Sequence, residues 1–202
     1  MGFRRGFSRT LVAAFAVLAI AMPAAAQFSD SYNFIKAVRD ADGGKVMEFL
    51  NKPGQPVLNT RDSATGDSAL HILVKRHDEN WLGFLLSRGP QLDIKDRAGN
   101  TPLMTAVQLS DIDSARLLLQ AGAKPNVTNA NGETPLIVAV QHRAIPIVRL
   151  LIQNGADPKL TDHIAGKTAR DYAAEDPRGS VITKILDDAR PRVEVFIGPE
   201  QH

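Results

Sequence analysis

A fixed period constrains this chain more than any other feature. Gly66-Asp-Ser-Ala-Leu-His, Gly99-Asn-Thr-Pro-Leu-Met, Gly132-Glu-Thr-Pro-Leu-Ile and Gly166-Lys-Thr-Ala-Arg-Asp stand 33, 33 and 34 residues apart. Self-similarity at such a period marks supersecondary units that cannot bury their apolar faces alone and must stack on neighbours. A second phrase keeps the same register: Ala115-Arg-Leu-Leu-Leu-Gln-Ala-Gly-Ala-Lys-Pro-Asn and Val148-Arg-Leu-Leu-Ile-Gln-Asn-Gly-Ala-Asp-Pro-Lys, with Leu82-Gly-Phe-Leu-Leu-Ser-Arg-Gly-Pro as a degenerate copy. The residue types explain the unit. Thr101 and Thr134 stand where an N-cap hydroxyl accepts from an orphan amide of the first turn. Pro102 and Pro135 follow at the first helical position, where the missing N–H costs nothing. The leucine runs end at Gly122 and Gly155, the place of a left-handed C′ residue. Each unit therefore reads as helix, turn, helix, then a polar finger.

The two motifs together resemble the ankyrin repeat, which has a period of about 33 residues and a Thr-Pro-Leu-His-x-Ala signature. The resemblance implies an all-α solenoid of helix-turn-helix units joined by β-hairpin-like fingers. Three repeats are expected, over residues 66–98, 99–131 and 132–165, flanked by an N-terminal cap over 28–59 and a C-terminal cap over 166–190. End units are atypical because each turns one face to water. Tyr32 to Asp40 and Lys45 to Leu50 read as the helices of the first cap, while Arg170 and Asp171 replace the usual leucine and histidine in the last. The stretches Asp62 to Gly66 and Asp162 to Gly166 are one residue longer than Asp96 to Gly99, so those fingers are expected to differ in shape. Trp81, aligned with Ser114 and Ile147, is expected to be half buried against an adjoining repeat. Glu79, in place of Ile112 and Ile145, marks the first repeat as the least tightly packed. Residues 191–202 form a tail in which Val193 to Ile197 reads either as a short strand or as loose chain.

The N-terminus is a different kind of object. Met1 to Arg9 holds three arginines and no acid, Leu11 to Met22 is apolar, and Pro23-Ala-Ala-Ala26 ends in a small-x-small pattern. Those are the three regions of a secretory signal peptide over residues 1–26, with cleavage expected between Ala26 and Gln27 and a periplasmic or secreted mature protein. The apolar run is shorter than the roughly 20 residues that span a bilayer, so no stable membrane span is expected after cleavage. Arg4-Arg5-Gly-Phe7 leaves both the general and the twin-arginine export routes open. The chain has no cysteine, which excludes disulfides, thiol chemistry and a lipoprotein anchor.

The leader also carries the basic balance. The whole chain has 24 basic and 22 acidic residues, and removing Arg4, Arg5 and Arg9 leaves 21 against 22. A near-neutral chain lacks the electrostatic footprint of a nucleic-acid binder. Catalytic patterns are missing as well. His71, His77, His142, His163 and His202 show no metal-ligand spacing, no serine sits in a nucleophile elbow, and Asp93 to Asp96 lacks the ligand alternation of a calcium loop. His71 falls on the histidine of the signature, where the resemblance implies a structural ring bonded to neighbouring turns. The expectation is a monomeric, non-catalytic protein without cofactor or metal. An envelope-associated structural role is the alternative, and an enzyme or metal-dependent protein the third.

What the resemblance implies about function is protein binding through finger tips and the exposed side of the first helices. By register, the candidate contact residues are Lys75, Arg76, Gln108, Leu109, Gln141 and His142 at the first-helix ends, with Arg97 and His163 on the fingers. Asp67, Asn100 and Glu133, just before the helix caps, and Arg61 and Lys95 belong to the same surface. Lys75, Gln108 and Gln141 share one position yet differ, as do Arg76, Leu109 and His142. The scaffold glycines and caps beside them barely change, so the surface is individual where the frame is copied.

Overall fold

The computed structural model describes residues 24–52 and 57–189. Most of the expected leader and all of the tail from residue 190 onward lie outside the described residues, and the expected cleavage point falls within the first helix. Among the described residues the chain forms α1 (Ala24–Arg39), α2 (Gly43–Asn51), a 3₁₀ turn (Val57–Asn59), and α3 (Ala69–Lys75). There follow α4 (Glu79–Leu86), α5 (Pro102–Gln108), α6 (Ile112–Gln120), α7 (Pro135–Gln141), α8 (Ile145–Gln153), α9 (Ala169–Glu175) and α10 (Ser180–Asp187). The first helix therefore starts ahead of Phe28, where the N-terminal cap was expected to open.

The helices pair within units and stack between them. α1, α3, α5, α7 and α9 contact one another in sequence to form one layer, and α4, α6, α8 and α10 form the second. Seven-residue helices such as α3, α5, α7 and α9 are too short to be stable in isolation, so their order comes from packing. The interior repeats like the sequence. Leu70, Leu103 and Leu136 form one fully buried row, and Leu85, Leu118 and Leu151 form another. α2 meets the next unit through Trp81, which is partly buried, stands edge-on to Phe84 at 5.3 Å, and covers Gly43 so closely that a Cβ there would approach its ring at 2.6 Å. Glycine at position 43 is what admits the indole.

Caps set the helix starts. Thr101 and Thr134 accept from the amides of Met104 and Ile137, each at 3.2 Å, and Thr168 shares a reciprocal pair of bonds with Asp171. The second helices start on aspartates: Asp42, Asp78 and Asp111 accept from the amides of Lys45, Trp81 and Ser114. Just before each of those caps, and before Ala144, the backbone turns left-handed at Ala41, His77, Ser110 and Arg143, with φ between 52° and 60°. Such a turn strains a non-glycine residue by about 1–2 kcal/mol, so the flanking helices must impose it. Cross-repeat bonds support two of the four. His77 Nδ1 lies 2.8 Å from Asp111 of the next unit, and the Arg143 guanidinium grips the Asp176 carboxylate.

The fingers differ by length, as the sequence implies. In the short fingers Gly99 N donates to Asp96 O and Gly132 N to Asn129 O, three residues back. In the longer first finger Gly66 N reaches four residues back to Asp62 O, and isolated antiparallel bridges, Arg61 with Ser68 and Thr161 with Thr168, close the two long fingers. One backbone bond ties each finger to the next: Arg97 N to Thr65 O, Ala130 N to Ala98 O and His163 N to Asn131 O, all 3.0–3.1 Å.

Candidate functional site

The first helices and the fingers together carry the candidate residues, in two rows and a line of tips. The row nearest the fingers is internally paired. In each unit the residue before the N-cap bonds the residue at the end of the same first helix: Asp67 with Lys75 at 2.7 Å, Asn100 with Gln108 at 3.2 Å, Glu133 with Gln141 at 3.2 Å and Lys167 with Glu175 at 2.8 Å. Four chemically different pairs occupy one register. The Glu133–Gln141 and Lys167–Glu175 pairs are exposed and add little net stability, so a partner can exchange them at little cost, whereas Asp67 and Asn100 are buried. Sequence spacing found the residues of the first three pairs but neither Lys167 nor Glu175, and none of the mutual bonds, because a separation of eight is not a helical neighbour relation.

The second row is heterogeneous. Arg76 reaches back across the unit boundary to donate to Val38 O at 2.6 Å and pairs with Asp78, which makes it a tie between the N-terminal cap and the first repeat. Leu109, the C-cap of α5, is 44% exposed, and His142, the C-cap of α7, is exposed without a side-chain hydrogen bond or ion pair among the described residues. His77 and His142 do not form a pair. His77 holds the left-handed turn one position beyond the place that His142 takes in its own repeat, and its ring serves Asp111. Among the described residues no group of three or more His, Asp or Glu side chains could hold a metal ion.

At the tips, Arg97 donates to Ser63 O and Arg61 to Lys95 O at 3.0 Å, while the His163 ring lies over Gly132. Two further exposed apolar side chains border the surface: Tyr32 on α1, 61% exposed, and Ile164 at the tip of the last finger, 77% exposed. The signal for Ile164 was present in the sequence, an apolar residue inside a polar stretch, as for Leu109. Tyr32 had no such signal, since it stands on the same helix as the buried Phe34, Ile35, Ala37 and Val38.

Charges on this surface belong largely to the scaffold. Asp62 accepts from the amides of Ala64 and Thr65 and pairs with Arg39 at 2.5 Å, and the Arg39 bond leads in holding its carboxyl down to a pKa of about 2. Asp162 also lies at about 2, chiefly through the Ala165 amide, with the Tyr172 hydroxyl and the Ile164 and Lys167 amides beside it. Both values lie below the ordinary carboxylate pKa of about 3.9, so the unfolded chain binds these protons first. Their contribution is complete above that value and is lost as pH falls through about 2. Urea midpoints should therefore drop between about pH 4 and pH 2, and the Asp62→Asn, Asp162→Asn double variant should show a shallower drop. Asparagine is tolerated in this turn: Asn129 holds the equivalent place and accepts from the amides of Asn131 and Glu133. An undiminished acid response in the double variant would assign it elsewhere.

His71 is structural in the way the resemblance implies. Its Nδ1 accepts from the Ser68 amide at 3.1 Å, which places the proton on Nε2, where it donates to Asn100 O at 3.0 Å in the next repeat. Burial leads in pushing its pKa below 6.5, so the ring stays neutral and holds two units together.

The family model described as ankyrin repeats, in three copies, matches residues 34–129, 88–162 and 121–194. These spans cover most of the chain and coincide with the stacked units: this is an ankyrin repeat protein. A segment of 64 residues is 38% identical to the Nuclear factor NF-kappa-B p110 subunit of Drosophila melanogaster, covering 32% of this chain and 6% of that protein. The chain thus spans a small fraction of that relative's length. Ankyrin repeats are generally protein–protein interaction modules and are typically non-catalytic. No helix among the described residues is long and apolar enough to cross a membrane.

Proposed function

We propose that the protein is an exported, non-catalytic, monomeric adaptor that holds a partner protein against the concave face of its repeats and their finger tips. The observation that supports this reading best is Leu109. It is a large apolar side chain left exposed at the middle position of a row whose neighbours in register, Arg76 and His142, are polar. Burying such a side chain in a partner's pocket gains roughly 1.5–3 kcal/mol, and a ring of polar contacts excludes water around it. Beside it the exposed Glu133–Gln141 pair offers hydrogen bonds that a partner can exchange.

Export rests on the three regions of residues 1–26, and the family match leaves residues 1–33 outside the repeats. N-terminal sequencing of the protein from an exporting bacterial host should find Gln27, or a residue close to it, at the mature end. Intact precursor as the sole species would reject export. For binding, the partner is first captured on the immobilised mature protein, then titrated. Leu109→Ala is expected to weaken the complex by at least about 2 kcal/mol, roughly thirtyfold in affinity, while the unfolding midpoint stays near that of the parent. If Leu109→Ala, Arg76→Ala and His142→Ala all bind as the parent does, the concave-face reading is wrong.

A further inference from the structure

We propose that the outer side of the last finger, at Ala165 and Gly166, is a seat for one strand of chain, and that its occupant is residues 193–198 of this same protein. The proposal goes beyond the protein-binding reading and stands independently of it. The fold builds the same seat on every finger. In the first three copies a glycine with φ of 78–80° and the carbonyl before it receive the next finger. Arg97 N donates to Thr65 O over Gly66, Ala130 N to Ala98 O over Gly99, and His163 N to Asn131 O over Gly132. The approach is close: a Cβ at any of these glycines would stand 2.5–2.8 Å from the seated amide nitrogen.

The fourth copy is empty among the described residues. Gly166 has φ of +64°, an added Cβ there meets nothing within 4 Å, and no bond reaches Ala165 O. Gly66 and Gly132 are buried, whereas Gly166 is exposed. In other respects the last finger is made like the first. Asp162 accepts from the amides of Ile164 and Ala165 as Asp62 accepts from those of Ala64 and Thr65, and an antiparallel bridge closes each finger. The first finger holds a strand, so a finger of this build is competent to hold one. Beside the empty seat Leu160 and Ile164 are exposed. An unpaired carbonyl next to apolar side chains is an edge that recruits other chains unless it is covered.

Residue count selects the occupant. Arg97, Ala130 and His163 lie 11, 10 and 10 residues beyond the last residues of α4, α6 and α8. The same interval after Asp187, the last residue of α10, reaches Ile197, or Gly198 with the longer spacing. The sequence that leads there, Val193-Glu-Val-Phe-Ile197, is rich in the β-branched and aromatic types that favour extended pairing, and both candidate residues carry an amide N–H. Only four residues follow Gly198, too few for another helix, so the segment supplies a strand and not a further unit. A short tether also holds it at high effective concentration near the seat. Seated, Ile197 covers Gly166 as the His163 ring covers Gly132, and the strand closes the open end of the stack.

Hydrogen exchange read by NMR on the purified full chain tests the seat, with a synthetic peptide of residues 190–202 as the reference for an unheld tail. The amide of Ile197 or Gly198 is expected to exchange at least about tenfold more slowly in the protein than in the peptide. Gly166→Ala places a methyl where that amide enters, and should return it to the peptide rate. Gly155→Ala, equally left-handed but away from the seat, should leave the protection as it is. If Gly166→Ala loosens the finger itself, Ile197→Pro with Gly198→Pro reads the seat from the other side, since it removes both donors without touching the repeats. The Ala165 carbonyl-carbon resonance should then move while those of Thr65, Ala98 and Asn131 hold still. Peptide-like exchange of both amides in the parent protein, or an Ala165 resonance indifferent to the two prolines, would overturn the proposal. So would protection that survives Gly166→Ala, which places the tail elsewhere, or protection that grows with protein concentration, which makes the occupant a second copy.

Discussion

Leu118→Ala is expected to destabilise the protein by about 2–5 kcal/mol, the sum of lost burial and a residual cavity. The side chain is 0% exposed on α6, which packs against α4 on one side and α8 on the other. Its register partners Leu85 and Leu151 are equally buried, so the cavity would open in the middle of a continuous row. In a stack held by nearest-neighbour contacts, a central unit couples both halves. Because such domains are stable by only about 5–15 kcal/mol in total, the loss is a large fraction of what holds the stack together. Denaturant titration should show a lower midpoint at constant slope, and a reduced slope would mean that the two halves have begun to unfold separately. Leu117, only partly buried on the same helix, should cost less when cut to alanine. A Leu118→Ala cost no greater than that of Leu117→Ala would contradict the packing described here.

Gly99→Ala should be nearly as severe for a different reason. Gly99 has φ of +80°, and a Cβ built there would stand 2.5 Å from Ala130 N and 3.1 Å from the Asn129 carbonyl carbon. Both contacts are backbone, so no side-chain rotation relieves them. The third finger must move, and the bond from Ala130 N to Ala98 O is lost with it. Left-handed strain and the displaced finger together should cost more than about 2 kcal/mol. Gly155→Ala is the control: its φ is +85°, but nothing lies within 4 Å of the added carbon. That variant should show the strain alone, about 1 kcal/mol. Equal midpoints for the two variants would mean that the close approach of the fingers does not contribute to stability.

Particular residues show where the sequence was legible. Thr101 and Thr134 act within a few residues of themselves, each capping a helix, and short-range geometry made that role readable from spacing alone. The glycines at 66, 99 and 132 were readable as turn residues because each has the positive φ that glycine adopts without cost, but the reason Gly99 and Gly132 tolerate no Cβ lies in the neighbouring finger. The candidate surface was legible as a set of positions and not as a set of interactions. Arg76 is a tie to Val38 O, Arg97 a tie to Ser63 O, and the pairs from Asp67–Lys75 to Glu133–Gln141 satisfy one another, while Leu109 and His142 remain open to a partner.

The sequence by itself determined the period, the order of elements and the all-α repeat class, because propensity, capping and turn chemistry operate over a few bonds and were written in several copies. The tertiary structure decided which surface side chains are free. Bonds across a unit boundary join residues far apart in sequence, 34 positions for His77 with Asp111 and 38 for Arg76 with Val38, and their existence depends on how closely two stacked units approach. That spacing arises from buried apolar packing summed along the stack, a quantity that no single phrase of the chain contains.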